Sequence, residues 1–171
     1  MLESMRQIGF YAEKNNSIIA IETGPEPAMI LKEFIEDAET KGIGVNMDPA
    51  NLIMVLDEDP VEAVRTLSKY IVYTHAKDGV HYRKCDTKRI YDAFAEGGFD
   101  RLLAETGELF AEKPIGTGSV KWEIYLKALQ DIGYKGFLTV ERETGKNPEQ
   151  DISESVSYLR NKLIAISAYS I

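Results

Sequence analysis

Residues 18–40, IIAIETGPEPAMILKEFIEDAET, contain the pattern that decides the fold. A short apolar run with β-branched residues ends on the carboxylate of Glu22, which is typical of a strand buried on both faces. After the turn TGPEP, Pro27 opens a helix whose apolar residues recur on one face, as in a helix that covers a sheet. The stretch therefore predicts one strand-turn-helix unit.

The same unit recurs three more times along the chain. Strand-like runs lie at Ile43–Met47, Ile71–Thr74 and Phe137–Val140, and amphipathic helical patterns separate or follow them. Parallel neighbours need a helix-length connection, so the alternation predicts an α/β fold with four parallel strands and covering helices. A closed (β/α)8 barrel has eight strands, and four strands correspond to half of one.

We expect one domain over residues 1–171, made of a leading helix and four βα units. Residues 79–118, which we call the excursion, interrupt the alternation of strands and helices after the third strand. The excursion is predicted to consist of polar loop and two short helices, around Thr87–Ala95 and Phe99–Ala111, because glycines bound these segments.

The charge and the cysteine content restrict the class of partner. The formal net charge of -8 and the pI near 4.9 provide no basic surface for nucleic acid or anionic lipid. No stretch approaches the ~18 apolar residues that span a bilayer. The single cysteine, Cys85, cannot form an internal disulfide, which favours a reducing compartment. We expect a cytoplasmic protein with a small-molecule partner, and neither nucleic-acid nor membrane binding.

Each predicted strand ends on a residue that binds metals in proteins. In chain order these are Glu22, Asp48, His75 and Glu141. Strand ends of a parallel barrel share one rim, so the four side chains are expected to converge. Three carboxylates and one imidazole suit Mn²⁺, Mg²⁺, Co²⁺ or Zn²⁺ in a catalytic site with open positions for substrate. Taken singly, each residue also fits a structural role: a helix cap, a core histidine or part of a charge run.

Five segments carry a family likeness between Ile18 and Gly145: IAIETGPEP, VNMDPANL, YTHAKDG, PIGTGSVKW and DIGYKGFLTVERETG. They resemble the C-terminal half of the xylose isomerase-like TIM barrels, the sugar phosphate isomerase and epimerase group. The resemblance implies that the chain is the C-terminal half of a (β/α)8 barrel. It also implies one divalent metal bound by the four strand-end residues, with Glu22 and Glu141 as catalytic acid and base.

The activity implied is a metal-dependent isomerase or epimerase that acts on a sugar or sugar phosphate through an enediolate. A related dehydratase of the inosose type would use the same kind of site, and an inert truncated half barrel is a further alternative. A zinc AP endonuclease is disfavoured, because the chain has only two histidines and lacks an Asp-x-His pair before IGTG.

Five polar residues near the strand ends are candidate substrate contacts: Asn51, Lys77, Asp78, His81 and Arg83. His81 lies six positions after His75, where members of the resembled family often carry a basic residue. Asn51 lies where many of them place a histidine. Lys77 and Arg83 also fit a solvated charged loop.

Four strands leave two unpaired edges and an uncovered inner face. We therefore expect a homodimer or a partner chain that supplies the missing half barrel; a fragment of a longer gene product is the third alternative.

Overall fold

The computed structural model describes residues 1–168 and contains a four-stranded parallel sheet, as predicted. The strands are β1 Ile19–Glu22, β2 Ile43–Met47, β3 Ile71–Ala76 and β6 Leu138–Val140, and they lie in the order β1-β2-β3-β6. A second, antiparallel pair consists of β4 Asp78–His81 and β5 Phe110–Lys113.

Helices connect and cover the strands. They are α1 Leu2–Lys14, α2 Ala28–Ala38, α3 Pro49–Asn51, α4 Pro60–Thr66, α5 Thr87–Ala95, α6 Phe99–Thr106, α7 Trp122–Asp131 and α8 Pro148–Ala168. A π-helical turn, Leu52–Leu56, continues α3. No helix in residues 1–168 is both long and apolar enough to cross a membrane.

The main core lies between the sheet and these helices. Val45 and Met47 of β2 are fully buried, and they belong to the same cluster as Leu31 of α2, Val64 of α4 and Tyr125 of α7. Successive side chains of a strand alternate between faces, so Asn46 and Asp48 lie on the opposite, inner face. The alternation thus assigns one sheet face to packing and leaves the other for polar side chains.

The excursion after β3 differs in part from its prediction. The helix α5 has the expected bounds, but α6 ends at Thr106 rather than near Ala111, because Gly107 leaves the helix with a φ of +75°. The chain then forms β5, which pairs with β4 from Asp78↔Lys113 to His81↔Phe110. The start of the excursion is therefore a strand and not a polar loop.

A second, smaller core holds the excursion against the π-helical turn. Its buried members are Ala50, Met54, Val55, Ile90, Leu102 and Leu109. Burial of Ile90 fixes the face of α5 that turns toward the carboxyl ends of the strands.

Candidate metal centre

The carboxyl ends of the four parallel strands bring Glu22, Asp48, His75 and Glu141 together. Glu22 is the last residue of β1, Asp48 and Glu141 directly follow β2 and β6, and His75 is the penultimate residue of β3. One ligand atom from each residue can be chosen such that all four lie within 4.8 Å of one another. The sequence distances of 26, 27 and 66 residues between them are thus bridged by the sheet alone.

The imidazole of His75 lies at the centre of this cluster. Its Nδ1 is 3.3 Å from Glu22 Oε1, 3.6 Å from Asp48 Oδ2 and 3.6 Å from Glu141 Oε2. The nearby carboxylate of Asp48, together with the charges of Glu141 and Glu22, raises the pKa of His75 to about 9, although burial acts in the opposite direction. Without a cation, a proton on His75 offsets the surrounding negative charge.

Asp48 is both a helix cap and a potential ligand. Its side chain is 0% exposed, and Oδ1 accepts hydrogen bonds from the backbone N–H of Ala50 at 2.8 Å and of Asn51 at 2.9 Å. The hydroxyl of Thr23 donates to the Asp48 carbonyl at 2.8 Å and accepts from its N–H at 2.9 Å. Within residues 1–168, Oδ2 is buried without a hydrogen-bond partner. An unpaired buried carboxylate oxygen is costly, so a cation at this position fits the site.

Neighbouring side chains hold the two glutamates. Asn51 donates from Nδ2 to Glu22 Oε1 at 3.0 Å and to the Thr23 carbonyl at 3.2 Å. Burial, followed by the charge of Asp48, raises the pKa of Glu22. On the other side, Lys77 Nζ donates to Glu141 Oε2 at 2.7 Å and also to Glu143.

Lys77 itself is 3% exposed and forms ion pairs with both glutamates. Burial alone would lower the pKa of this ammonium, but the hydrogen bonds to Glu141 and Glu143 raise it above its usual value. Lys77 is therefore charged, and its donors are directed toward these carboxylates.

Three of the predicted substrate contacts lie elsewhere: His81 and Arg83, and also Asp78, which is described below. His81 Nδ1 is 2.9 Å from the carbonyl oxygen of Met54, and His81 lines a separate cavity with Lys121. Arg83 donates to the Thr106 carbonyl at 2.9 Å. Pairing of β4 with β5 carries both residues away from the strand ends.

Asp78 anchors the loop that precedes α7 instead of facing the cluster. Five N–H groups donate to its two oxygens at 2.9–3.2 Å: the backbones of Gly79, Gly116, Gly118 and Val120, and the indole of Trp122. A Cβ at position 118 would lie 2.2 Å from Asp78 Oδ1, so the loop requires glycine there. The segment GTGSV is thereby a carboxylate-bound turn.

Sequence reasoning missed Asn46 and the aromatic residues of the excursion. Asn46 Nδ2 is 3.2 Å from His75 Nε2, and the alternation of β2 could have revealed Asn46, because it shares a face with Asp48. Tyr91, Phe94 and Phe110 line a cavity of about 360 Å³ next to the cluster, together with Glu22, Lys77 and Glu141. No spacing in the sequence indicates which face of α5 meets this cavity.

The residues present fit a divalent metal ion. Asp48 and His75 are fixed by the fold, Asp48 Oδ2 lacks a partner in the described part of the chain, and the donor set of three carboxylates and one imidazole matches the preferences of Mg²⁺, Mn²⁺, Co²⁺ and Zn²⁺.

Comparisons with known proteins agree with this architecture. The family model described as xylose isomerase-like TIM barrel matches residues 1–162. A solved xylose isomerase domain protein from Planctomyces limnophilus matches at 29% identity with a TM-score of 0.76, over 98% of this chain and 52% of that one. No curated protein matches the chain.

Two further solved structures share the fold at lower identity. A D-tagatose 3-epimerase-like protein matches at 19% identity and a TM-score of 0.72, over 99% of this chain and 55% of that one. A xylose isomerase-like TIM barrel protein from Mycobacterium smegmatis was solved in complex with magnesium. It matches at 20% identity and a TM-score of 0.68, over 96% of this chain and 50% of that one. More distant matches are two epimerases and a probable dehydratase. This chain spans about half the length of these structures, so its sheet corresponds to a partial TIM barrel.

Proposed function

Because the chain belongs to the xylose isomerase-like TIM barrel family, we propose that it is the metal-binding half of an isomerase or epimerase that acts on a sugar through an enediolate. The convergence of Glu22, Asp48, His75 and Glu141 within 4.8 Å carries this proposal. The epimerases among the structures of the same fold support it.

In this proposal Glu22, Asp48, His75 and Glu141 hold one divalent metal ion. The cation would supply positive charge that stabilises the developing enediolate beside a substrate carbonyl. The magnesium complex of a structural neighbour supports a divalent ion, with Mg²⁺, Mn²⁺, Co²⁺ and Zn²⁺ all compatible with the donor set.

Glu22 and Glu141 are the candidate acid and base. Glu22 ends β1 and Glu141 follows β6, the two edge strands of the sheet, and so they approach the site from opposite sides. One carboxylate removes the proton next to the carbonyl, and the other returns a proton from the opposite side. Asn51 orients Glu22 and Lys77 orients Glu141 through the hydrogen bonds described above.

Proton exchange with solvent tests this function directly. The metal-loaded chain is incubated in D₂O with free and phosphorylated ketoses, and NMR follows deuterium incorporation next to the carbonyl. We expect Glu22→Gln and Glu141→Gln each to slow exchange by about 10²–10⁴-fold, even at restored metal content. Glu33→Gln, which removes an exposed carboxylate of α2, is the control and should exchange normally. Undiminished exchange in either site variant would refute the acid-base assignment.

The same incubation separates the alternatives. Loss of water from the substrate would identify a dehydratase, which begins with the same proton removal. Metal bound without exchange or product, once a second half barrel completes the site, would identify an inert chain.

We further propose that activity requires a second half barrel, supplied by another copy of this chain, by a partner chain or by further sequence of a longer protein. The strands β1 and β6 are unpaired on their outer edges within residues 1–168. Phe137, which directly precedes β6, is 77% exposed, and Val72 of β3 is also exposed. Apolar side chains and strand edges in such positions favour association.

A further inference from the structure

The cavity beside the metal-ligand cluster has two chemically different sides. Glu22, Lys77, Glu141 and Glu143 form the charged side. Tyr91, Phe94 and Phe110 form the apolar side, which we call the aromatic wall, and Pro25, Met54 and Val55 extend it. A cavity of about 360 Å³ with one polar side and one apolar side has the size and character of a small-molecule site.

The aromatic wall is built on a packed support. Phe94 stacks on Phe99 with ring centroids 4.0 Å apart, and Phe99 lies 5.9 Å from Phe110. Tyr91 extends toward the β1–α2 loop, where a Cβ at Gly24 would lie 2.4 Å from its hydroxyl. Packing thus fixes the wall at the cavity before any ligand binds.

Two members of the wall retain free binding capacity. Phe94 is 52% exposed although it lines the cavity, which leaves part of its ring surface available. Tyr91 is half-buried, and its hydroxyl forms no hydrogen bond among the contacts of residues 1–168. The ring of Phe94 offers a flat apolar face, and Tyr91 offers an O–H donor.

The charged side contributed by this chain does not favour an anionic ligand. Within residues 1–168, the Lys77 ammonium is the cation that lines this cavity, and its Nζ is already bound to Glu141 and Glu143. His81 and Arg83, the other basic candidates, contact the Met54 and Thr106 carbonyls instead. The carboxylates of Glu22, Asp48, Glu141 and Glu143, opposed by one ammonium and one divalent cation, leave this half of the loaded site with net negative charge, which repels a phosphate ester.

We infer that the substrate is an uncharged sugar or cyclic polyol rather than a sugar phosphate, with a C–H face against Phe94 and a hydroxyl that accepts a hydrogen bond from Tyr91. This inference rests on the proposed function and narrows its substrate class. Tyr91 and Phe94 are then specificity-determining residues contributed by the excursion.

Matched ligand pairs test the inference. The probes are D-fructose with D-fructose 6-phosphate, and D-xylulose with D-xylulose 5-phosphate, each titrated into the Mg²⁺-loaded chain. We expect the free ketose to bind more tightly in at least one pair, and saturation-transfer NMR to show contact between its C–H protons and aromatic protons. Tighter or equal binding of both phosphates, or no binding of either free ketose, would overturn the inference.

Variants assign the contact to the wall. Phe94→Ala should weaken binding of the free ketose by about 2- to 10-fold while metal affinity stays unchanged. Phe94→Leu, which keeps apolar bulk for packing on Phe99, should weaken it as well, and Tyr91→Phe should weaken it separately. Phe10→Ala on α1, where Phe10 is 50% exposed, is the control and should bind normally. Unchanged binding in both Phe94 variants would refute the role of the wall.

The two levels of proposal fail differently. Selective ketose binding that depends on Phe94, without proton exchange, would refute the enolising function and leave the ligand class standing. Proton exchange that is unchanged by substitution of Phe94 and Tyr91 would support the enolising function and refute the role of the aromatic wall.

Discussion

The chain contains two histidines, and replacement of each by glutamine separates the metal centre from the rest of the fold. His75 lies at the centre of the ligand cluster, whereas His81 contacts the Met54 carbonyl and lines another cavity. Glutamine resembles histidine in size and polarity, so neither variant introduces a large void. We expect His75→Gln to lose most of the stabilisation by divalent metal and His81→Gln to retain it.

The expected magnitude follows from binding linkage. A metal at 100 times its dissociation constant stabilises the folded state by about 2.7 kcal/mol. A domain of this size gains about 2–4 °C in Tm per kcal/mol, so the wild-type Tm should rise by about 5–11 °C. Loss of one of four ligands should weaken binding by at least about 100-fold, which leaves about 0.4 kcal/mol, or about 1–2 °C, at the same metal concentration.

Thermal unfolding with Mg²⁺ or Mn²⁺, and again after chelation by EDTA, measures these shifts. His81→Gln is expected to lose about 1 kcal/mol of stability with and without metal, because one hydrogen bond to the Met54 carbonyl is altered. Its metal-induced shift should equal that of the wild type. A full shift in His75→Gln, a lost shift in His81→Gln, or no shift in the wild type would refute the reasoning.

Three further predictions concern protons, the residue behind His75 and assembly. The pKa of His75 is raised to about 9, so below that pH the metal must displace a proton from the imidazole. The apparent metal affinity should therefore rise about tenfold per pH unit from pH 7 toward 9 and then level off. Calorimetry in buffers of different ionisation enthalpy measures this profile, and an affinity that does not change with pH would contradict the prediction. Asn46 Nδ2 lies 3.2 Å from His75 Nε2, so Asn46→Ala should weaken metal binding by about 10- to 100-fold. The control is Asn15→Ala, at an exposed position after α1, which should leave the metal affinity unchanged. Equal metal affinity in the two variants would show that Asn46 does not support the metal site. If two copies close one barrel, light scattering should give twice the chain mass and Phe137→Glu should give a monomer. A wild-type monomer would exclude self-association.

The features that the sequence predicts well are local ones. Each parallel strand is a short apolar run, so the sequence alone identifies the potential metal ligand at its end, as it does for Glu22 after IIAI. Asp48 illustrates how two interpretations coincide: it caps α3 through Oδ1, and its Oδ2 faces the cluster. The capping interpretation and the ligand interpretation are both compatible with one side chain.

The features that the sequence did not predict depend on distant pairing. The role of Asp78 is set by N–H donors of the 116–122 segment, and the direction of His81 is set by β5, about 30 residues downstream. Tyr91 and Phe94 lie on a helix whose pattern was recognised, but the face that meets the cavity follows from how Ile90 packs against the π-helical turn. Local patterns do not contain this information.

The central claim is that Glu22, Asp48, His75 and Glu141 together hold one divalent metal ion. Anomalous diffraction from crystals of the chain grown with Mn²⁺ tests it most directly. We predict one strong anomalous peak per chain within about 2.0–2.4 Å of a carboxylate oxygen of each acid and of a His75 ring nitrogen. If Mn²⁺ stabilises the protein in solution but the crystals show no anomalous peak among these four residues, the account is contradicted.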